Sequence, residues 1–313
     1  MRDAFFRALT QIGAADDRVW ALTGDLGVGL FEPFEAVAPG RYLNVGIAEQ
    51  TLVGVAAGLA YAGKVPFAYS IAPFITSRPH DQVRVDVACA EANVKLVGVG
   101  SGVSYGTLGP THHAIDDLAL MRVLPGMTVI AAGDPAEAGR AVRAAAAHDG
   151  PVYLRLGKNN EPALLPADAP FAIGRALELR SGGDVTIAAT GTALREATAA
   201  ADLLAADGIA ATLLHFGTVK PFDAAALVTA AARTGAVVTV EEHSVVAGFG
   251  SAAAEALAEA GVGAVLRRVG FPDTFAHAVG SRDHLVGHYG ASAGAVAATV
   301  RDLLEPRPAC ATT

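Results

Sequence analysis

Apolar positions along this chain fall into two alternating rhythms. In residues 3–13, Phe5, Phe6, Leu9 and Ile12 recur at helical spacing, and Gly13 supplies a stop. Val19-Trp20-Ala21-Leu22-Thr23 is a compact apolar run of the kind buried inside a parallel sheet. The same alternation predicts strands at 41–45, 65–70, 95–99, 127–130 and 152–156. Helices are predicted at 48–60, 74–89, 114–124 and 135–147. Residues 162–170 break the rhythm with three prolines, after which it restarts. Strands are predicted there at 185–189, 210–214 and 237–240, with helices at 193–206, 222–233 and 250–260. Strand–helix alternation of this length specifies an α/β protein of two doubly wound, mostly parallel-sheet domains. The expected boundaries are residues 1–165 for the first domain, 166–182 for a linker and 183–313 for the second.

Composition narrows the class. With 313 residues, 52% of them hydrophobic and 17% charged, the chain is long enough for two cores and too apolar to be disordered. A formal net charge of -8 leaves no sequence-independent grip on a phosphate backbone, so nucleic acid is not an expected partner. Two cysteines, Cys89 and Cys310, are too few for a disulfide framework and fit a reducing compartment. Arg7 and Asp16 interrupt the first apolar residues, no signal peptide is evident, and no run approaches the roughly 20 apolar residues that span a bilayer. A soluble, cytoplasmic protein without membrane contact is the expectation.

Candidate chemistry gathers in loops that follow strands of the first domain. Gly24-Asp25-Leu26-Gly27-Val28-Gly29 follows the first strand, where α/β sheets bind ligands. Glu49 lies among Val45, Ile47, Ala48 and Val53 at a helix start, and burial there disfavours a carboxylate's charged form, which suits proton exchange. A first-turn Glu stabilised by the helix dipole is the structural alternative. Phe74, His112 and His113 follow later strands, the histidines in a long turn-rich loop at 103–113. In the second domain, Glu241, Glu242 and His243 precede Gly248-Phe249-Gly250-Ser251, a possible helix entrance with an anion site. No P-loop, Rossmann fingerprint, nucleophile elbow or H-E-x-x-H motif occurs, and neither cysteine neighbours a base.

Taken in order, these motifs resemble a known family. Asn44-Val45-Gly46-Ile47-Ala48-Glu49-Gln50, backed by Ala56-Ala57-Gly58-Leu59-Ala60, is similar to the pyrimidine-binding domain of transketolases. The similarity continues through Arg78-Pro79-His80-Asp81-Gln82-Val83-Arg84, Asn93-Val94-Lys95 and the stretch from Gly109-Pro110-Thr111-His112-His113 to Asp117. It reaches the second domain at Lys220-Pro221-Phe222-Asp223 and Val240-Glu241-Glu242-His243. The resemblance implies that Glu49 hydrogen-bonds the aminopyrimidine of thiamine diphosphate and promotes its imino tautomer. It implies that Phe74 stacks on that ring, that Asp25, Leu26 and Arg78 belong to the same cofactor site, and that His112 contacts substrate hydroxyls.

The G-D-G…N motif with which transketolases hold the diphosphate through Mg²⁺ has no match here. The resemblance therefore implies the C-terminal subunit of a split, two-chain enzyme, inactive alone. A partner chain would carry the metal ligands, none being expected on this chain, in an α2β2 assembly. Positions that contact sugar phosphate in the family are occupied by Leu108, Gly100 and Gly157, leaving His113, Arg155, Lys158 and Arg2 as candidate substrate contacts. Two other enzyme readings share this domain pair: the β chain of a 2-oxo acid dehydrogenase and a deoxyxylulose-phosphate-synthase-like enzyme. A non-catalytic assembly or regulatory subunit is the reading from a different class.

Overall fold

A computed structural model describes residues 1–158 and 161–305, so Cys310 lies outside the described residues. Its strands are β1 (Val19–Thr23), β2 (Tyr42–Asn44), β3 (Val65–Ile71), β4 (Lys95–Val99), β5 (Thr128–Ala131) and β6 (Val152–Leu156). In the second half come β7 (Leu177–Arg180), β8 (Val185–Thr190), β9 (Ala211–Phe216), β10 (Thr218–Lys220), β11 (Ala236–Ser244) and β12 (Val265–Phe271). Two sheets result, in the orders β10-β5-β6-β4-β3-β1-β2 and β12-β11-β8-β9-β7. Both are parallel except at one edge, where β10 and β7 each pair antiparallel. The α/β expectation of two mostly parallel sheets holds.

The continuous apolar runs are strands because helices cover both sheet faces. Every residue of β3, β4, β6 and β8 is buried, so these strands are mostly apolar and their few charged side chains, Lys95 and Arg155, are enclosed. The Ala-rich helix Pro135–Ala147 buries Ala138, Ala141, Val142 and Ala145, an i, i+3, i+4, i+7 stripe, and Asp134 caps it by accepting from the Glu137 N–H. Small side chains let these helices approach the sheets closely.

Three local expectations change. The helix predicted for 74–89 is broken: Ala72–Ser77 and His80–Gln82 are α-helical, and Val83–Cys89 winds as a π-helix. Pro79 lies at the break, lacking the N–H a continuous helix would use. The segment 166–182, expected to be linker, contains β7, which pairs with β9. Third, β10 leaves the second half of the chain and joins the first sheet beside β5, so the two halves share one continuous apolar core. Among the described residues no helix is long and apolar enough to cross a membrane.

Candidate active site

The loops leaving the carboxyl ends of β1, β2, β3 and β4 meet at one sheet edge, the place where open α/β sheets present ligand sites. Asn44 ties the first two together. Its side-chain amide donates to Asp25 Oδ1 at 3.0 Å, and its Oδ1 accepts from the backbone N–H of Asp25 and of Gly46. Asp25 adopts φ 61, a left-handed conformation that Asp tolerates better than most residues. Leu26 sits beside it, half-buried, its carbonyl accepting from the Thr23 hydroxyl.

Glu49 begins the helix Glu49–Tyr61 and is 2% exposed although its neighbours Ile47 and Gln50 face outward. Oε1 accepts from the Ser70 hydroxyl at 3.4 Å, and Oε2 accepts from Arg78 Nη1 at 2.9 Å. The Arg78 guanidinium also lies over the Phe74 ring, 3.7 Å from its centroid. Phe74 meets His112 edge to face at 5.0 Å, and His112 is 6.0 Å from Tyr105. The Lys158 ammonium covers the Tyr105 ring at 4.1 Å. Glu49, Arg78, Phe74, His112, Tyr105 and Lys158 thus form one unbroken run of contacts.

A cleft of about 690 Å³ opens against this run, lined by Phe74, Arg78, Thr111, His112 and His113 from the first domain and by Phe275 from the second. Burial pushes the His112 pKa down from its ordinary value, and the nearby Arg78 and Lys158 charges push the same way. Its Nδ1 lies 2.9 Å from the Thr111 hydroxyl, which leaves Nε2 without a partner among the described residues. His113 is almost fully buried beneath it, and burial lowers its pKa as well. Arg2 is half-buried, with its nearest carboxylate, Asp3, 3.9 Å away.

Arg155 is a correction. It was expected at the substrate, but the structure buries it at 1% exposure in the seam between the domains. Nε and Nη2 donate to the two Asp117 oxygens at 2.7 and 3.0 Å, and Nη2 also reaches the carbonyls of Ala114 and Glu242. An arginine so engaged cannot reach a ligand in the cleft. The proposed anion site at 248–251 is also filled from within. Glu241 places its own carboxylate on the N–H groups of Phe249 and Gly250, capping the helix Phe249–Glu259.

Sequence reasoning overlooked Tyr105, Ser70 and Phe275 as parts of the site. Tyr105 had a signal, as the one aromatic in the long loop 103–113, but Ser70 and Phe275 become neighbours only through sheet register and domain docking. Among the described residues, no group of three or more His, Cys, Asp and Glu is arranged to hold a metal ion.

Comparison with known proteins gives two domain matches: "Transketolase, pyrimidine binding domain" over residues 1–162 and "Transketolase, C-terminal domain" over residues 174–296. The chain is 43% identical over 306 residues to the 6-deoxy-6-sulfo-D-fructose transketolase subunit SqwH of Clostridium sp. strain MSTE9, covering 97% of this chain and 94% of that one. It is 38% identical to an apulose-4-phosphate transketolase subunit of Actinobacillus succinogenes, covering 93% of each chain. A solved structure described as a split gene transketolase, inactive beta4 tetramer, superposes with TM-score 0.88 at 40% identity, covering 97% of this chain and 98% of that chain.

Proposed function

The chain belongs to the transketolase family, and from that premise we propose that it is the C-terminal subunit of a split, thiamine-diphosphate-dependent transketolase. It transfers a two-carbon ketol unit from a ketose to an aldehyde acceptor. The observation that carries the reading is the contact run from Glu49 to Lys158, which places a buried carboxylate, an aromatic face and a histidine on one cleft. The residues fit the cofactor's aminopyrimidine: Phe74 offers a face to stack on, Glu49 a carboxylate for a ring nitrogen, and Asp25 and Leu26 the adjoining wall. When bound, thiamine diphosphate supplies the carbanion chemistry of ketol transfer.

This chain's own residues do the remaining work. Glu49 holds a proton shared with a ring nitrogen in a site from which Phe74 and the Glu49–Tyr61 helix exclude water. Arg78, exposed enough to swing aside, pairs with that carboxylate and covers Phe74 until a ring takes its place. His112 directs Nε2 into the cleft, where a hydrogen bond to a substrate oxygen stabilises charge as it develops. Lys158 and Arg2 suit the anionic far end of a sugar, with His113 buried beside His112; the relatives named above act on a sulfonated and a phosphorylated sugar. An N-terminal partner holds the diphosphate and Mg²⁺, and α2β2 is the assembly this reading favours.

The test is reconstitution with that partner, thiamine diphosphate and Mg²⁺, followed by assay of phosphorylated and sulfonated ketose donors. Ketol transfer that requires both chains supports the reading. Carbon dioxide release from pyruvate without ketose turnover, or failure of the pair to bind the cofactor, overturns it. In the same assay, His112→Asn should lower kcat/KM by about 10- to 100-fold, the loss expected on weakening one preorganised hydrogen bond. Because burial and the Arg78 and Lys158 charges hold its pKa below the ordinary histidine value, His112 should give kcat/KM no histidine-like step across pH 7–8.

A further inference from the structure

The second domain contributes more to the site than Phe275. The loop carrying Tyr105 and His112 begins at Gly102 and closes at Ala114, whose N–H donates to the Gly102 carbonyl at 2.8 Å. At this neck, Glu242 of β11 reaches across from the second domain. Oε1 accepts the Val103 N–H at 3.0 Å, and Oε2 accepts the Thr192 hydroxyl at 2.8 Å. Gly102 has φ 56, and a Cβ there would collide with the Glu242 side chain, so the carboxylate lies flat against the neck.

Glu242 is itself held rigidly. Arg282 donates to its Oε2 from Nε at 2.9 Å and from Nη2 at 2.6 Å, and takes Glu196 as a bidentate partner at 2.9 Å on both oxygens. The turn that leads into Arg282 grips the loop a second time, the Gly280 N–H donating to the Gly106 carbonyl at 3.3 Å. Gly106 has no room for a side chain against the Gly280 carbonyl. Between these grips and the histidine the loop is stiffened by its own turns, the Leu108 N–H bonding Tyr105 and the His112 N–H bonding Gly109. A movement of the neck is therefore passed along a turn-stiffened loop to Tyr105 and His112.

We propose that Glu242, clamped by Arg282, which Glu196 holds in turn, is a positioning residue for His112, through which the C-terminal domain sets the geometry of substrate binding. The inference rests on the reading of His112 as a substrate contact. Glu242 bonds Val103, Thr192 and Arg282 and shares no partner with Glu49, which bonds Ser70 and Arg78, so its loss acts on the sugar and not on the cofactor. A charged acceptor on a buried backbone N–H is among the stronger protein hydrogen bonds. Its replacement by the isosteric amide weakens the grip on Val103 and breaks the ion pair with Arg282 while leaving the side chain's volume unchanged.

The experiment is a double-mutant cycle in the reconstituted two-chain enzyme, using Glu242→Gln, His112→Asn and the double variant. Glu242→Gln alone should lower kcat/KM for the ketose donor by about 10-fold, mainly through KM, with thiamine diphosphate affinity unchanged. In the His112→Asn background the same change should cost under about 2-fold, since groups acting through one another are not additive. Equal losses in both backgrounds, or no loss in either, overturn the proposal. A neutral His112→Asn is a different result, and removes the functional reading of His112 on which the proposal stands. Should Glu242→Gln fail to fold or assemble, Thr192→Val, which deletes the hydroxyl that donates to Oε2 and also lies 3.1 Å from Ser101 Oγ at the neck, enters the same cycle with the same criteria at a smaller expected loss of about 3-fold.

Discussion

Glu49→Gln should remove ketol transfer from the reconstituted enzyme, by a factor of about 10²–10⁴, while leaving assembly and thermal midpoint close to wild type. The amide keeps the shape of the side chain and can still accept from Ser70 or Arg78, so the local packing survives. What disappears is the capacity to hold a proton for a ring nitrogen. Few other groups can take over that work. Asp25 faces outward and is tied to Asn44. Glu241 is committed to a helix N-terminus and Glu242 to Arg282, both in the second domain. Steady-state transfer rates beside a cofactor-binding titration are the measurement. More than about a tenth of wild-type activity with normal cofactor binding would exclude the role assigned to Glu49.

The expected loss depends on how the fold isolates this carboxylate. Glu49 is 2% exposed, yet Arg78, its ion-pair partner, has a side chain 43% exposed. A pair with one exposed member opens at little cost, because the guanidinium regains water as it leaves. The carboxylate is thereby kept charge-balanced without being locked away from a ligand. The Phe74 ring is covered by the same guanidinium, so one side-chain movement frees both the stacking face and the acid.

Much of this was legible in the sequence because its signals are local. The apolar runs marked β1, β4 and β6 at their observed bounds, since strands buried on both faces read as short, dense runs of apolar residues. Glu49 stood out as a carboxylate among apolar residues at a helix start. Less legible were features that depend on distant partners. Leu177–Arg180 alternates apolar and polar over only four residues, too short a run to announce a strand whose hydrogen bonds are supplied by β9, and β10 owes its place to β5 in the other half of the chain. Arg155 was misread for the same reason: with the family's phosphate-contact positions replaced it stands as a spare cation, and its true partner, Asp117, lies 38 residues away in sequence.

That misreading leads to the largest stability effect expected here. Tyr153 and Arg155 are two apart on β6 and so share one face of the sheet. Both converge on Asp117, the tyrosine hydroxyl donating to Oδ2 at 2.6 Å and the guanidinium reaching both oxygens. Arg155 and Asp117 have side-chain exposures of 1% and 0%, so neither charge has water to fall back on. Asp117→Asn should cost about 3–5 kcal/mol, because the change strands a buried guanidinium and not merely one contact. Arg155→Met should cost a similar amount, because the Asp117 carboxylate keeps the Tyr153 hydroxyl but loses its cation, and the carbonyls of Ala114 and Glu242 lose their donor. Combining the two should cost much less than the sum, since the double variant buries no unpaired charge. Urea unfolding of the three variants beside wild type decides the matter. Single variants that lose under about 1 kcal/mol, or a double variant that loses the full sum, would show that the pair does not hold the seam. If the interaction is as strong as its burial implies, the residue once expected to grip a substrate is what keeps the His112 loop and the second domain in register, since Arg155 also bonds the carbonyls of Ala114 and Glu242.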